Sequence, residues 1–369
     1  MKQEPLGVPA LGAAENRDPK QARDRFLACA KAGLFRHAVP ETLGGVGTPF
    51  RVLADSHVLL GEKTHDPGLM LALSAHLWGA VFPLLRFAND EQKKYWIPSL
   101  LNGELIGGHA ITEPQAGSDI QAMETTVSET AEGFMLNGHK RYITNSPIAG
   151  MMVIYAKDSA TSAISAFILR SDDSGANFEN GPTVEGCATA TMGDITLSEC
   201  EIPKDRALGA SGAGATMIQL ALELERAFIF AGVAGVMQWQ LNQTIQYVRR
   251  RASGGGVLSD RQVISHKIAD MKLRLETIRL WVNRCAELLD SKKRITLESA
   301  QTKLFSSEAF LQSSLDAAHI HGAKGLENGL AGLVLDGMAG RLMSGSSEVQ
   351  KNIIAAMLGV GVGVVNEKC

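Results

Sequence analysis

Ala110-Ile111-Thr112-Glu113-Pro114-Gln115-Ala116-Gly117-Ser118-Asp119 decides how this chain is read. A short apolar run enters Thr-Glu-Pro, passes through a small-residue turn and leaves as Ser-Asp. That order gathers hydroxyls and free backbone N–H groups at one bend, where an anion or the polar edge of a ring can sit. Downstream, Asn137-Gly138 stands between Phe134-Met135-Leu136 and Lys140-Arg141-Tyr142, a pattern that predicts a hairpin. Tyr142-Ile143-Thr144-Asn145 completes its second arm.

Working outward, short apolar runs such as Val153-Ile154-Tyr155 and Phe167-Ile168-Leu169 recur between polar clusters from about 108 to 207. Their spacing predicts a small β-barrel or sandwich. Before it, residues 1–107 read as helical, with candidates at Pro19–Ala32, Thr48–Gly61, Gly68–Phe87 and Asp90–Leu101. His76, Gly79 and Pro83 interrupt the third, which reads as a buried helix pair rather than a membrane span. After the strands, four stripes step by three and four. They are Phe230 to Val248, Ile264 to Val282, Leu297-Leu304-Leu311-Leu315-Ala318, and Val349-Ile353-Met357. They predict a four-helix bundle over 208–369 with a loose glycine-valine tail. The expected class is α+β, mostly α.

The 369 residues, 45% of them apolar, are enough for several domains with a large core. A net charge of −3 and a longest basic run of Arg249-Arg250-Arg251 argue against nucleic-acid binding. Five scattered cysteines without Cys-x-x-Cys spacing suggest neither a zinc site nor a disulfide framework. The start, Met1 to Pro5, lacks an apolar signal core, so a cytoplasmic protein with no membrane partner is expected. No histidine pair has convincing metal spacing. His76, His109 and His266 read as structural, and no metal is expected.

The order helical domain (1–107), β-barrel domain (108–207) and four-helix bundle (208–369), together with the Thr112–Asp119 and Tyr142–Asn145 motifs, resembles the acyl-CoA dehydrogenase family. The resemblance implies FAD as cofactor and α,β-dehydrogenation of an acyl thioester. It places Thr112 at the pyrimidine end of the isoalloxazine and Thr144 near N5. Tyr142 would cover the ring where the family usually has Trp, and Ser118 would contact the cofactor phosphates or the thioester arm. Arg251 would pair with the pyrophosphate of a flavin held mainly by a neighbouring subunit, with Gly254 where the family has Phe. His319 and Gly322 would lie on a glycine-rich bend against the cofactor, and Ser346 and Glu348 near the flavin.

The base is the decisive departure. Many members carry it in a Tyr-Glu-Gly-Thr sequence, which matches Met343-Ser344-Gly345-Ser346 here. A minority place it on the first bundle helix just before an Arg, and this chain reads Glu223-Leu224-Glu225-Arg226 there. Glu225 is the expected base, with a pKa raised by burial. Glu223, Arg226, Ser344 and Ser118 are expected to line the substrate. Glu225-Arg226 together with Ser344-Gly345-Ser346 is most similar to members acting on prolyl, aminoacyl or hydroxyacyl groups tethered to carrier proteins in secondary-metabolite assembly. Arg249, Arg250, Lys272 and Arg274 are candidates to receive an acidic carrier protein. A short or branched acyl-CoA substrate, a flavin oxidase and a non-catalytic flavoprotein scaffold stand as alternatives. A homodimer or homotetramer is expected, and the electron acceptor is not readable.

Overall fold

A computed structural model describes residues 8–9, 11, 19–327 and 329–361. The start at Met1–Pro5, Cys369 and the end of the tail from Val362 lie outside them. Five helices come first: α1 (Pro19–Lys31), α2 (Phe50–Thr64), α3 (Pro67–His76), α4 (Phe82–Phe87) and α5 (Asp90–Leu101). Asp66 caps α3 by accepting from Leu69 N, and Asn89 with Gln92 forms a capping box on α5. The predicted break inside 68–87 is not a separation. A π-helical turn, Leu77–Val81, joins α3 to α4 without leaving the helix. A π turn skips one hydrogen bond in the ladder, which lets the helix accept Pro83. This stretch is long and apolar enough to cross a membrane, yet it is 89% buried inside the protein.

The middle strands are β1 (His109–Ala110), β2 (Thr126–Glu129), β3 (Gly133–Thr144), β4 (Met151–Asp158), β5 (Ile164–Arg170), β6 (Ala176–Asn180), β7 (Met192–Pro203) and β8 (Ala207–Leu208). They form one sheet in the order β6-β7-β3-β2-β4-β5-β8, with β1 added in parallel to β4. Among the described residues the path runs from β6 to β8 with no pairing between those two strands. The predicted hairpin at Asn137-Gly138 is a β-bulge instead. β3 runs straight through both residues against β7, and the register slips between Leu136 and Gly138. Asn137 Oδ1 accepts Glu199 N across that bulge, so the turn-forming pair serves strand irregularity rather than reversal.

The last section holds α6 (Gly214–Arg250), the ribbon β9 (Ala252–Ser253) and β10 (Gly256–Val257), α7 (Gln262–Asp290), α8 (Thr296–His321), α9 (Ala323–Glu327), α10 (Gly332–Leu342) and α11 (Ser347–Met357). α6, α7 and α8 pack side by side, and α10 and α11 lie against α8. The first two stripes face the core as expected, through Met237, Leu241, Met271, Leu275 and Ile278. The α8 stripe does not. Leu297, Leu304 and Leu311 are half-buried and Leu315 is 44% exposed. The face turned inward carries Ser299, Thr302, Lys303, Ser306, Ser307, Ser313 and Ser314. Small side chains let α8 sit close among its neighbours. Ser299, Thr302 and Ser307 return their hydroxyl protons to Thr296, Glu298 and Leu304 carbonyls of the same helix.

Candidate active site

The sheet and the helices meet around Glu225. About three turns into α6, its side chain is 5% exposed. Oε1 accepts the Ser344 hydroxyl at 2.7 Å. Oε2 lies 3.3 Å from His109 Nε2, an ion-pair distance without hydrogen-bond alignment, and has no hydrogen-bond partner of its own. Burial pushes the carboxyl pKa up, but the His109 imidazole, the Ser344 hydroxyl and the Arg226 guanidinium outweigh it and hold the group below its ordinary value. The expected raised pKa is therefore corrected: burial is real, but it comes with partners.

Ser344 reaches Glu225 from a strained loop. Its φ is +55°, a left-handed setting that a non-glycine residue holds only when its surroundings demand it. Two side chains supply the demand. Arg226 Nε donates to the Ser344 carbonyl at 2.9 Å, and Gln350 Nε2 donates to the Gly345 carbonyl at 2.9 Å. Ser346 begins α11, its hydroxyl accepting from Val349 N, and Glu348 projects from the first turn into solvent.

Glu223 does not join this group. Its Oε1 accepts from Arg294 at 2.9 Å and from Thr296 at 2.7 Å, tying α6 to the start of α8. Two positions along a helix rotate a side chain by roughly 200°, so Glu223 and Glu225 serve opposite faces. A substrate contact from Glu223 is not what this placement offers.

The polar bend of the opening motif rests on a buried ion pair. Lys140 Nζ donates to Glu113 Oε1 at 2.8 Å, both side chains almost wholly buried. Glu113 also accepts the backbone N–H groups of Glu124 and Thr125. Burial pushes the Lys140 ammonium down to about 8 even with Glu113 opposing it. The pair pins the Thr112–Asp119 turn to β3, and Arg141 N donates to the Thr112 carbonyl at 2.9 Å. Ser118 is exposed on the turn and Thr112 is half-buried. Tyr142, at φ +57° beside a register shift in β3, keeps its ring half exposed. Two residues on, Thr144 is half-buried, and Asn145 ties α3 to the sheet by donating to the Ala72 and Gly107 carbonyls.

These residues fit a polar, planar cofactor. The Thr191 and Ser146 hydroxyls, flanking the Thr144–Asn145 end of β3, are buried without partners. A ring with donors and acceptors on its edge would satisfy such groups, and the exposed Tyr142 ring offers it a face to stack on. Arg251, His319 and Gly322 are not part of this cluster's interior. Arg251 follows α6 as its exposed C-cap, and His319 and Gly322 are exposed at the end of α8. Gly322 has φ +60° with open space beyond it. The ribbon after Arg251 turns at Gly254 and Gly255, both at positive φ, and Arg261 donates to the Gly254 carbonyl.

Two of the four basic candidates for carrier docking are engaged inside the chain. Arg274 and Lys267 both bind the buried Asp316, at 2.8 and 2.6 Å, and Lys272 pairs with Glu276 one turn away. Arg249 and Arg250 stand exposed at the end of α6. His109, read from the sequence as structural, lies 3.3 Å from Glu225, a placement that reading did not foresee. Its one signal is its place two residues before Ile111, on the strand that leads into the Thr-Glu-Pro bend.

Comparison with known proteins matches this architecture throughout. The acyl-CoA dehydrogenase N-terminal, middle and C-terminal domain models match residues 8–104, 108–200 and 212–359. The chain belongs to the acyl-CoA dehydrogenase family and is an FAD-dependent oxidoreductase. An L-prolyl peptidyl-carrier-protein dehydrogenase of Pseudomonas fluorescens is 36% identical over 341 residues, 90% of each chain. The mitochondrial short-chain specific acyl-CoA dehydrogenase of Rattus norvegicus is 32% identical over 331 residues, 88% of this chain and 80% of that one. Among solved structures, the prolyl acyl carrier protein oxidase AnaB superposes with a TM-score of 0.89 at 34% identity, covering 92% of each chain. PigA with FAD and proline gives 0.88 at 32% identity, covering 94% of this chain and 90% of that one.

Proposed function

We propose that this protein oxidises a small aminoacyl or hydroxyacyl thioester carried on an acyl carrier protein, a prolyl group being the best-supported case, with Glu225 as the base. The observation that carries the reading is the asymmetry of one carboxylate. Glu225 Oε1 accepts the Ser344 hydroxyl, while the buried Oε2 makes no hydrogen bond and has only His109 Nε2 near it, at 3.3 Å. A buried anion with one unused oxygen is a proton acceptor kept free for an incoming C–H group. The position that holds the base in many relatives is here a hydroxyl directed at Glu225, so the loop supports the base instead of supplying it.

In this reading Thr112, Ser118, Tyr142, Thr144, Ser346 and Glu348 hold the flavin of their own subunit, and Arg251, His319 and Gly322 reach that of a neighbour. When bound, FAD supplies the hydride acceptor. The chain's own work is to orient the thioester, exclude water and take the α-proton on Glu225. Arg226 acts through the Ser344 loop. Exposed Arg249 and Arg250 suit the acidic surface of a carrier protein better than Lys272 or Arg274, whose charges are already matched. The relatives named as prolyl carrier-protein enzymes support the carrier-bound substrate, and a coenzyme A thioester is the second reading, supported by the short-chain relative. We further propose the domain division 1–107, 108–207 and 208–369, a cytoplasmic location and assembly of at least two copies.

The test is mass spectrometry of prolyl and other acyl carrier-protein thioesters after incubation with the enzyme and an electron acceptor. Loss of two hydrogens from the carrier-bound group, abolished in Glu225→Gln, is the expected result. Oxidation of coenzyme A thioesters alone would overturn the carrier assignment, and an undiminished Glu225→Gln enzyme would overturn the base.

A further inference from the structure

His109 has no role in the reading above, yet it is placed with care. It sits on β1, whose backbone pairs with Val153 of β4, and its side chain is 14% exposed. The π-helical turn makes room for its ring: a Cβ on Gly79 would stand 2.9 Å from His109 Cγ and from His109 N, closer than carbon atoms tolerate. π turns inside α-helices gather at functional sites. Nε2 faces Glu225 Oε2 at 3.3 Å, and Nδ1 is buried with no hydrogen-bond partner. A structural histidine ordinarily satisfies both nitrogens. This one leaves one nitrogen unsatisfied and aims the other at the oxygen proposed to take the proton.

We propose that His109 is a positioning residue for Glu225, its Nε2 presented to Oε2 so that the carboxylate keeps its charge until substrate arrives. The inference rests on Glu225 being the base. A donating nitrogen beside a buried carboxylate favours the ionised form, which is the form that can take a proton.

The charged and titratable groups around the pair are few. From α6 comes Arg226, with Glu223 beyond it; from α8, Lys303, which interacts with Arg226. The π turn Leu77–Val81 carries no titratable side chain. No second carboxylate competes with Glu225 for the imidazole among these.

The experiment compares FAD-loaded wild type, His109→Phe, His109→Gln and Glu225→Gln, each first checked for flavin content and thermal midpoint. Anaerobic flavin bleaching by carrier-bound substrate is followed against pH, and infrared spectra at neutral pH are searched for the carbonyl stretch of a protonated carboxyl. His109→Phe should move the acid limb of the bleaching rate upward by about one pH unit or more, as expected for a buried carboxylate that loses the group favouring its ionised form. It should also show a protonated-carboxyl band that Glu225→Gln removes. His109→Gln, which can still donate a hydrogen bond to Oε2, should bring the acid limb back toward the wild-type position. A His109→Phe profile that superposes on wild type, without the new band, would overturn the proposal. If Glu225→Gln still bleaches normally, the base assignment itself falls, which separates the two failures.

Discussion

Ser344 donates its hydroxyl to Glu225 Oε1 at 2.7 Å, from the loop position at which many relatives carry their base. Donor and acceptor are 119 residues apart, and the contact joins the first bundle helix to the loop before the last. Hydrogen bonds to a charged acceptor contribute about 1.5–3 kcal/mol, which is about one to two pKa units. Ser344→Ala should therefore raise the Glu225 pKa. As the proposed base, Glu225 would work only when ionised, so the acid limb of the rate should move to higher pH by about one unit, with the plateau rate largely kept. Steady-state rates across pH, at matched flavin content, check this.

Glu225→Gln removes the proposed proton acceptor while keeping volume and one oxygen for Ser344. Loss of a general base lowers the rate by about 10²–10⁴-fold. The flavin should remain bound, read from its visible absorbance, because no proposed cofactor residue is altered.

Arg274 and the Arg249/Arg250 pair should respond in opposite ways. Asp316 is pushed up by burial, but Lys267 and Arg274 hold it below the ordinary carboxyl range. A lowered folded value means stability that is present above the ordinary Asp pKa, about 3.9, and lost as pH falls through the folded value. Arg274→Ala should weaken that tie between α7 and α8 and lower the thermal midpoint at neutral pH, with KM for carrier substrate little changed. Arg249→Glu/Arg250→Glu should leave the midpoint alone and raise KM for the carrier-bound substrate, more steeply at low salt. Calorimetry and initial rates on the same samples separate the two.

Lys140→Met leaves Glu113 buried beside no cation. Breaking a buried pair from one side costs about 3–5 kcal/mol. Glu113→Gln/Lys140→Met should recover much of that loss, since an amide oxygen still accepts one of the N–H groups of Glu124 and Thr125. Denaturant unfolding of the single and double variants measures the difference. Flavin affinity should fall in the single variant, because the pair anchors the turn that carries Ser118.

The helical blocks were legible because their signals are local. Asn89 with Gln92, Asp66 before Pro67 and the α6 and α7 stripes each act within a turn or two of chain. The failures were of another kind. Asn137-Gly138 satisfies the chemistry of a turn and of a bulge alike, and only β7 on its flank decides between them. The α8 stripe misled because its hydroxyls bond to their own helix, which makes serine cheap to bury and leaves the leucines facing outward. In the site, Glu225 is proposed from the absence of a carboxylate at Ser344, and the structure places the two side chains in contact. His109 could not be found in that way, since its meaning depends on a residue 116 positions away and on a glycine in a helical turn that periodicity does not reveal.

The Ser344 hydroxyl also constrains how such an enzyme can change over generations. A Glu at 344 would bring a second carboxylate against Glu225, and two acids sharing one pocket hold a proton between them. The charge of one would raise the pKa of the other, so the pair would titrate as a unit and the second acid would add no independent base. The two locations for the base are thus alternatives that exclude each other. A lineage crossing from one to the other has to pass through a sequence that carries only one acid at a time, with a neutral residue such as this serine keeping the vacated place.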